Sequence, residues 1–202
     1  MKKIILDLCG GTGAWSRPYQ DHGYDVRIVT LPENDIRVYK PPKIVCGVLC
    51  APPCVEFSIA KDHKLERKII SAMDTVNACF RIIYQCNPDF WALENPTGLL
   101  RQYLDKPKYT FQPWNFGDPW TKKTDLWGNY NIPQRRYEHW VDVPQNPDLY
   151  IRPGRTKPSI AFLHKSAMQY IDWMKDYRIN TDADFRAITP LGFAQAFFEA
   201  NR

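Results

Sequence analysis

An α/β domain with a mostly parallel sheet is the fold class that this 202-residue chain predicts, and three observations point to it. Short apolar runs alternate with helix-like segments through the N-terminal half. The first run leads into a Gly-rich turn that opens a helix, the usual first crossover of such a sheet. Composition, at 44% hydrophobic and 24% charged, matches soluble globular proteins and leaves enough apolar material for a packed core. Disordered and fibrous classes are thereby excluded, and at ~150 residues per domain the length suits one compact domain over residues 1 to 202.

The elements follow in order. KKIILDLC is the first apolar run, DVRIVTL the second, KIVCGVLCA the third and DFWALEN the fourth, and each reads as a buried strand. Between the third and fourth runs, Ile69, Met73, Val76, Phe80 and Ile83 recur every three or four residues, the stripe of a helix with one face on the sheet. Past residue 106 Pro, Trp and Tyr become frequent, and only KTDLWGN reads as a further strand. Near the end, Thr189 and Pro190 suit an N-cap and a first helical position, with Phe193, Phe197 and Ala200 at helical spacing behind them.

Charge and cysteine content narrow the function classes. The chain carries 27 Lys and Arg against 22 Asp and Glu, a net +5, and residues 101 to 165 hold 11 basic and 6 acidic side chains. A polyanionic partner is therefore allowed. The opening MKKIILDL is interrupted by Asp7 well before a signal-peptide core or the ~20 residues of a membrane span, so a cytoplasmic location without membrane contact is expected. All six cysteines fall within the first 86 residues and are expected as free thiols. Cys46, Cys50 and Cys54 are spaced by four, with no CxxC and no histidine nearby, so no metal is expected.

In an open α/β sheet ligands bind beyond the carboxyl ends of the strands, so the residues that end each run matter most. The first run ends in Asp7-Leu8-Cys9-Gly10-Gly11-Thr12-Gly13-Ala14-Trp15, where glycines allow a tight turn and close backbone approach to a ligand. A dinucleotide site would want GxGxxG and an acid closing the second run, which instead ends in Thr30-Leu31-Pro32. The third run stops at Pro52-Pro53, because neither proline can donate to a ladder, and the rigid turn presents Cys54. The fourth run ends in Glu94-Asn95-Pro96, placing a carboxyl and an amide at the same sheet edge. A lone strand-end cysteine is more often structural and a lone Glu is usually solvated, but with the Gly turn on one edge they mark a catalytic site.

These residues resemble the DNA cytosine C5-methyltransferase family. Residues 7 to 15 are similar to its first cofactor motif, Pro52-Pro53-Cys54 with Phe57-Ser58 to its nucleophile motif, and Glu94-Asn95 to its base-recognition motif. Phe116-Gly117-Asp118-Pro119-Trp120-Thr121-Lys122-Lys123-Thr124 resembles its Tyr-Gly-x-Pro-Gln-x-Arg-x-Arg segment, with a strand expected at residues 126 to 129. Residues 189 to 202 resemble its last motif, a helix that packs back near the cofactor, and the closing FAQAFFEANR is similar to short methyltransferase-like proteins of bacteriophages.

The resemblance implies a Rossmann-like, S-adenosylmethionine-dependent methyltransferase fold acting on DNA with its target cytosine flipped out. Cys54 would be the thiolate that adds to C6, its pKa lowered by exposed N–H groups and nearby cations. Glu94 would hold the ring at N3 and the 4-amino group, with Asn95 and Pro53 beside the base. Asp7, Pro52, Gly10, Gly11 and Gly13 would form the cofactor site, with Trp15 stacked on adenine and Asp35 bonded to the adenine amino group. Lys122 and Thr124 would complete the catalytic set. Ser58 and Lys61 would meet the phosphate backbone from a loop over residues 55 to 68, for which a solvated charged surface is the competing reading.

The sequence also departs from the family pattern. Val55 stands where Gln usually follows the nucleophile, no acid is apparent at the end of the second strand for the ribose hydroxyls, and Lys122 and Thr124 replace the two arginines. Lys offers a point charge where Arg offers a planar fork. Gln134-Arg135-Arg136 reads as a surface basic cluster. Residues 130 to 188 are too few for a separate target-recognition domain, which implies short or relaxed sequence selectivity. Two alternatives stay open: the same chemistry on RNA or a free deoxycytidine nucleotide, and a catalytically silent methyltransferase-like module that binds nucleic acid.

Overall fold

The computed structural model describes residues 2–59, 61 and 64–202. The chain runs through β1 (Ile4–Leu8), α1 (Arg17–Asp21), β2 (Asp25–Val29), β3 (Gly47–Cys50), α2 (Ile69–Cys86), β4 (Phe90–Pro96), α3 (Arg101–Leu104), β5 (Tyr109–Phe111), β6 (Thr124–Asn129), α4 (Asp182–Ala187) and α5 (Leu191–Ala200). The strands form one six-stranded sheet in the order β2-β1-β3-β4-β6-β5. The strands β2, β1, β3 and β4 are mutually parallel, β6 runs antiparallel to β4, and β5 antiparallel to β6. From β1 the chain goes to β2 on one side and then crosses to β3 on the other, which opens a crevice at the carboxyl ends of β1 and β3. This is a Rossmann-like α/β fold.

Side-chain alternation along β1 assigns the two faces. Leu6 and Leu8 pack with Val76, Cys79 and Ile82 of α2. Ile5 points the other way and joins Trp15, Tyr19, Phe193 and Phe197 under α1 and α5. The buried residues of α2 are Val76, Ala78, Cys79, Ile82, Ile83 and Cys86, while Ile69, Met73 and Phe80 from the expected stripe are only partly buried, Phe80 meeting Trp91 edge-on at 5.7 Å. At α5 the helix begins at Leu191, with Pro190 in the cap position, one residue later than the Thr189 cap implied.

β5 was not legible in the sequence: three residues at the sheet edge are too short to show alternation. It is tied in by Asp125 of β6, fully buried, whose carboxylate accepts from Arg101 at 2.6 Å, Thr110 at 2.7 Å and Thr97 at 2.9 Å. A buried carboxylate needs such partners, and these clamp the antiparallel edge beside the strand ends. Residues 130 to 188 contain no strand; they form short 3-10 turns and α4 around a third core of Trp120, Leu149, Ile160, Met174, Phe185 and Ile188. Ala14 of the glycine turn belongs to that third core, so the irregular segment rests directly on the mouth of the crevice. Among the described residues no helix is long and apolar enough to cross a membrane.

Candidate active site

The carboxyl ends of β1, β3 and β4 open into one cavity of about 620 Å³. Asp7, Gly10, Gly11 and Trp15 line it from the first strand end, Pro52, Pro53 and Cys54 from the third, and Glu94 from the fourth. Lys122 closes it from the segment before β6. The fold thus brings together the strand-end residues that the sequence singled out.

Asp7 is fully buried, and burial pushes its carboxyl up to about 6, with the Ser16 hydroxyl opposing. Ser16 Oγ donates to Oδ2 at 2.5 Å, while Oδ1 is buried with no hydrogen-bond partner. Gly10 is required here because a Cβ would overlap the Asp7 carboxyl group. Gly11 and Gly13 take positive φ, 53° and 73°, the left-handed region that glycine enters without cost from a Cβ. Gly13 shapes the turn from outside the cavity wall.

Cys54 follows the two prolines, and its carbonyl accepts from Phe57 N at 3.0 Å and Ser58 N at 2.8 Å, which folds the chain back over it. Asn95 Nδ2 donates to the Pro52 carbonyl at 2.9 Å, bracing the turn from the neighbouring strand. Burial raises the Cys54 thiol above its ordinary range; the Lys122 ammonium opposes this and the Glu94 carboxylate adds to it. The expected lowering of this thiol therefore does not occur: desolvation outweighs the cation. Burial likewise raises Glu94, again against Lys122, and Glu94 Oε2 is buried without a partner. One cation thus acts on both groups.

Several expected roles do not match the placement. Trp15 is 1% exposed, its ring packed against Phe193 and Phe197 with centroids 5.9 and 5.4 Å away. No open face is left for adenine to stack on, although Trp15 lines the cavity and its Nε1 is buried with no hydrogen-bond partner. Asp35 lies outside the cavity wall, and its carboxylate is held by Arg37 at 2.6 Å, which draws it down to about 2. Lys61 is committed to Glu56 at 2.6 Å and to the Glu66 carbonyl at 2.9 Å, so it is not presented to a phosphate. Asn95 is 1% exposed and braces Pro52, and Thr124 Oγ1 donates to the Lys122 carbonyl at 2.8 Å. Both are positioning residues in this arrangement. Ser58 lies in an adjoining cleft. Residues 60, 62 and 63 of the expected loop lie outside the described residues.

Sequence reasoning missed part of the wall. Glu33, four residues beyond the end of β2, lines the cavity, an acid near the second strand that the sequence did not mark; Leu31 and Pro32 before it also line the wall. Arg178, Asn180 and Asp184 come from the irregular segment, and Ala187, Ile188 and Thr189 from the approach to α5. Only the last of these had a signal, the expected return of the C-terminal segment.

No family model and no curated protein sequence matches the chain. Solved structures do. A prophage-encoded protein of E. coli assigned as a DNA modification methyltransferase aligns with a TM-score of 0.49 and 12% identity, over 79% of this chain and 53% of that one. A mutant of DNMT2 from Spodoptera frugiperda aligns with a TM-score of 0.44 and 17% identity, over 78% of this chain and 57% of that one. The chain spans about half the length of these structures. At such identities the likeness concerns the course of the backbone, and the chemistry rests on the site itself.

Proposed function

We propose that this chain, as a single catalytic domain over residues 1 to 202, transfers a methyl group from S-adenosylmethionine to C5 of cytosine in DNA. The observation that supports the reading most is the meeting of Cys54, Glu94 and Lys122 with the Asp7-to-Gly11 turn around one cavity. A thiol and a carboxyl from adjacent parallel strands, under the influence of one lysine, are what addition to a pyrimidine ring requires.

The residues present suit the cofactor. Asp7 Oδ1 and Trp15 Nε1 are buried and unpartnered, an acceptor and a donor awaiting a polar ligand. Gly10 and Gly11 would let the backbone approach it, and Glu33 on the same cavity wall would accept from its ribose hydroxyls. When bound, S-adenosylmethionine supplies an electrophilic methyl group.

The protein's own groups do the rest. Cys54 Sγ, as thiolate, forms a bond to C6 of cytosine while Glu94 delivers its proton to N3, so the electron pair of the C5–C6 double bond is redistributed and C5 becomes nucleophilic. The raised Glu94 carboxyl keeps that proton at a pH where an ordinary carboxyl has lost it. Lys122 favours ionisation of the thiol. After C5 takes the methyl group, water removes the C5 proton, the C6–S bond breaks, Cys54 leaves as thiolate and N3 returns its proton to Glu94. Asn95 and Thr124 hold Pro52 and Lys122 in place through this cycle.

Incubation with S-adenosylmethionine labelled in the methyl group and with DNA, RNA or dCMP, followed by nucleoside analysis, tests the reading. Label in 5-methyldeoxycytidine from DNA is expected; label confined to RNA or to dCMP moves the substrate elsewhere, and none with any acceptor refutes methyl transfer.

A further inference from the structure

A second cleft, of about 660 Å³, adjoins the active-site cavity and shares Pro96 and Lys122 with it. It is lined by Lys122, Lys123, Arg155 and Lys157, and among the described residues no acidic side chain lines it. Among the described residues, the side chains of Lys122, Lys123 and Arg155 enter no ion pair or hydrogen bond within the chain. Its lining also exposes apolar surface: Ile59 is 75% exposed, and Phe162, 37% exposed, carries the Arg152 guanidinium over its ring at 4.6 Å.

The cleft is built rigidly. Thr121 N donates to the Pro158 carbonyl at 2.9 Å and Ile160 N to the Thr121 carbonyl at 3.2 Å, so the wall is bonded to the residue just before Lys122. Lys157 sits 5.2 Å from the Trp114 ring and 5.1 Å from Trp140, pinning the same wall from the other end. Cations beside exposed apolar surface and an aromatic ring are the chemistry of single-strand binding, where cations follow the phosphates and bases stack. The major groove of a duplex instead admits an α-helix or a β-ribbon. Residues 130 to 188 offer neither, only 3-10 turns and the six-residue α4.

We propose that this cleft binds the nucleotides next to the target cytosine on an unpaired DNA strand, with a base against Phe162 and phosphates on Lys123 and Arg155, so that the chain prefers single-stranded over duplex DNA. The proposal rests on the reading of the neighbouring cavity as the methyl-transfer site. An unpaired cytosine also reaches that cavity without the cost of flipping out of a stack.

Fluorescence anisotropy of a labelled 12-nucleotide DNA strand and of its duplex, measured over a salt series without S-adenosylmethionine, tests it. The single strand is expected to bind about five-fold tighter or more, and Phe162→Ala to weaken it by about five-fold or more. Lys123→Ala with Arg155→Ala is expected to flatten the salt dependence by about two phosphate contacts. Phe162→Leu, which keeps apolar bulk without the aromatic face, is expected to bind nearly as weakly as Phe162→Ala. Equal or tighter binding of duplex, or an unchanged affinity for either Phe162 variant, overturns the proposal. The measurement needs no chemistry: strand preference without methyl transfer refutes the function and leaves the cleft, whereas methyl transfer without strand preference does the reverse.

Discussion

The two parts of this molecule, the sheet through residue 129 and the irregular segment from 130 to 188, build the same cavity by different means. In the sheet, three of the four parallel strands end in residue types that both stop the strand and carry chemistry: Gly after β1, Pro-Pro-Cys after β3, Glu-Asn-Pro at the end of β4. The irregular segment has its own core around Met174 and Phe185 and contributes Arg178, Asn180 and Asp184 as a wall. The difference teaches that reactive groups sit on or next to the strand ends that the sheet fixes, while the segment without a ladder closes and shapes the site.

Substitutions can sharpen or break that division. The largest effect is expected for Cys54→Ser on the sheet side: single-turnover methyl transfer falls by more than about a thousand-fold, as for loss of other catalytic nucleophiles. Calorimetry should find cofactor affinity nearly unchanged. A variant that kept a few per cent of the rate would move the nucleophile elsewhere.

Glu94→Gln comes next, with a loss of about 100- to 10,000-fold. The pH profile carries the more specific expectation, because the reaction needs Cys54 ionised and Glu94 protonated, and burial has raised both groups. The rate should fall on the acid side as the thiol takes up its proton and on the alkaline side as Glu94 loses its own. In Glu94→Gln the fall assigned to Glu94 should vanish while the thiol limb stays.

On the irregular side, Phe185 is fully buried in the third core, and Phe185→Ala should cost ~3–5 kcal/mol in chemical denaturation. Because Ile188 of that core also lines the cavity, S-adenosylmethionine affinity should fall with it. Lost stability with unchanged affinity would show the segment to be a structural appendage.

The last expectation, a change of slope with pH, concerns the seam between the two regions. Asp118 accepts from Trp173 Nε1 at 3.0 Å, its Oδ2 has no partner, and burial pushes its carboxyl from 3.8 up to about 7. Between those values the unfolded chain has released this proton and the folded chain keeps it. The group's contribution is therefore full below 3.8 and is lost as pH rises toward 7. Asp118→Asn keeps an acceptor for Trp173 and should remove this slope, gaining on the parent protein as pH increases; parallel stability curves would contradict the assignment.

The sheet half was legible because the strand runs are apolar and their ends are marked by residues that cannot continue a ladder. Trp15 shows the limit: an aromatic after a glycine turn looks the same whether it faces a ligand or a core, and only the arrival of Phe193 and Phe197 from α5 decides. Lys61 was misread because loops neutralise their own charges, here through Glu56. Glu33 was hidden because the run ends at Leu31-Pro32, and the wall residues Arg178, Asn180 and Asp184 because they are polar and stand outside the apolar spacing of Ile160, Leu163, Ala167, Ile171 and Met174.

The central claim is a covalent bond from Cys54 to C6 of cytosine, and 5-fluorocytosine in DNA tests it most directly because its C5 fluorine cannot leave as a proton does. With S-adenosylmethionine present, the account predicts a protein–DNA complex that survives denaturing electrophoresis and is absent for Cys54→Ser. No such complex from a chain that methylates DNA, or one that persists in the Ser variant, would contradict it.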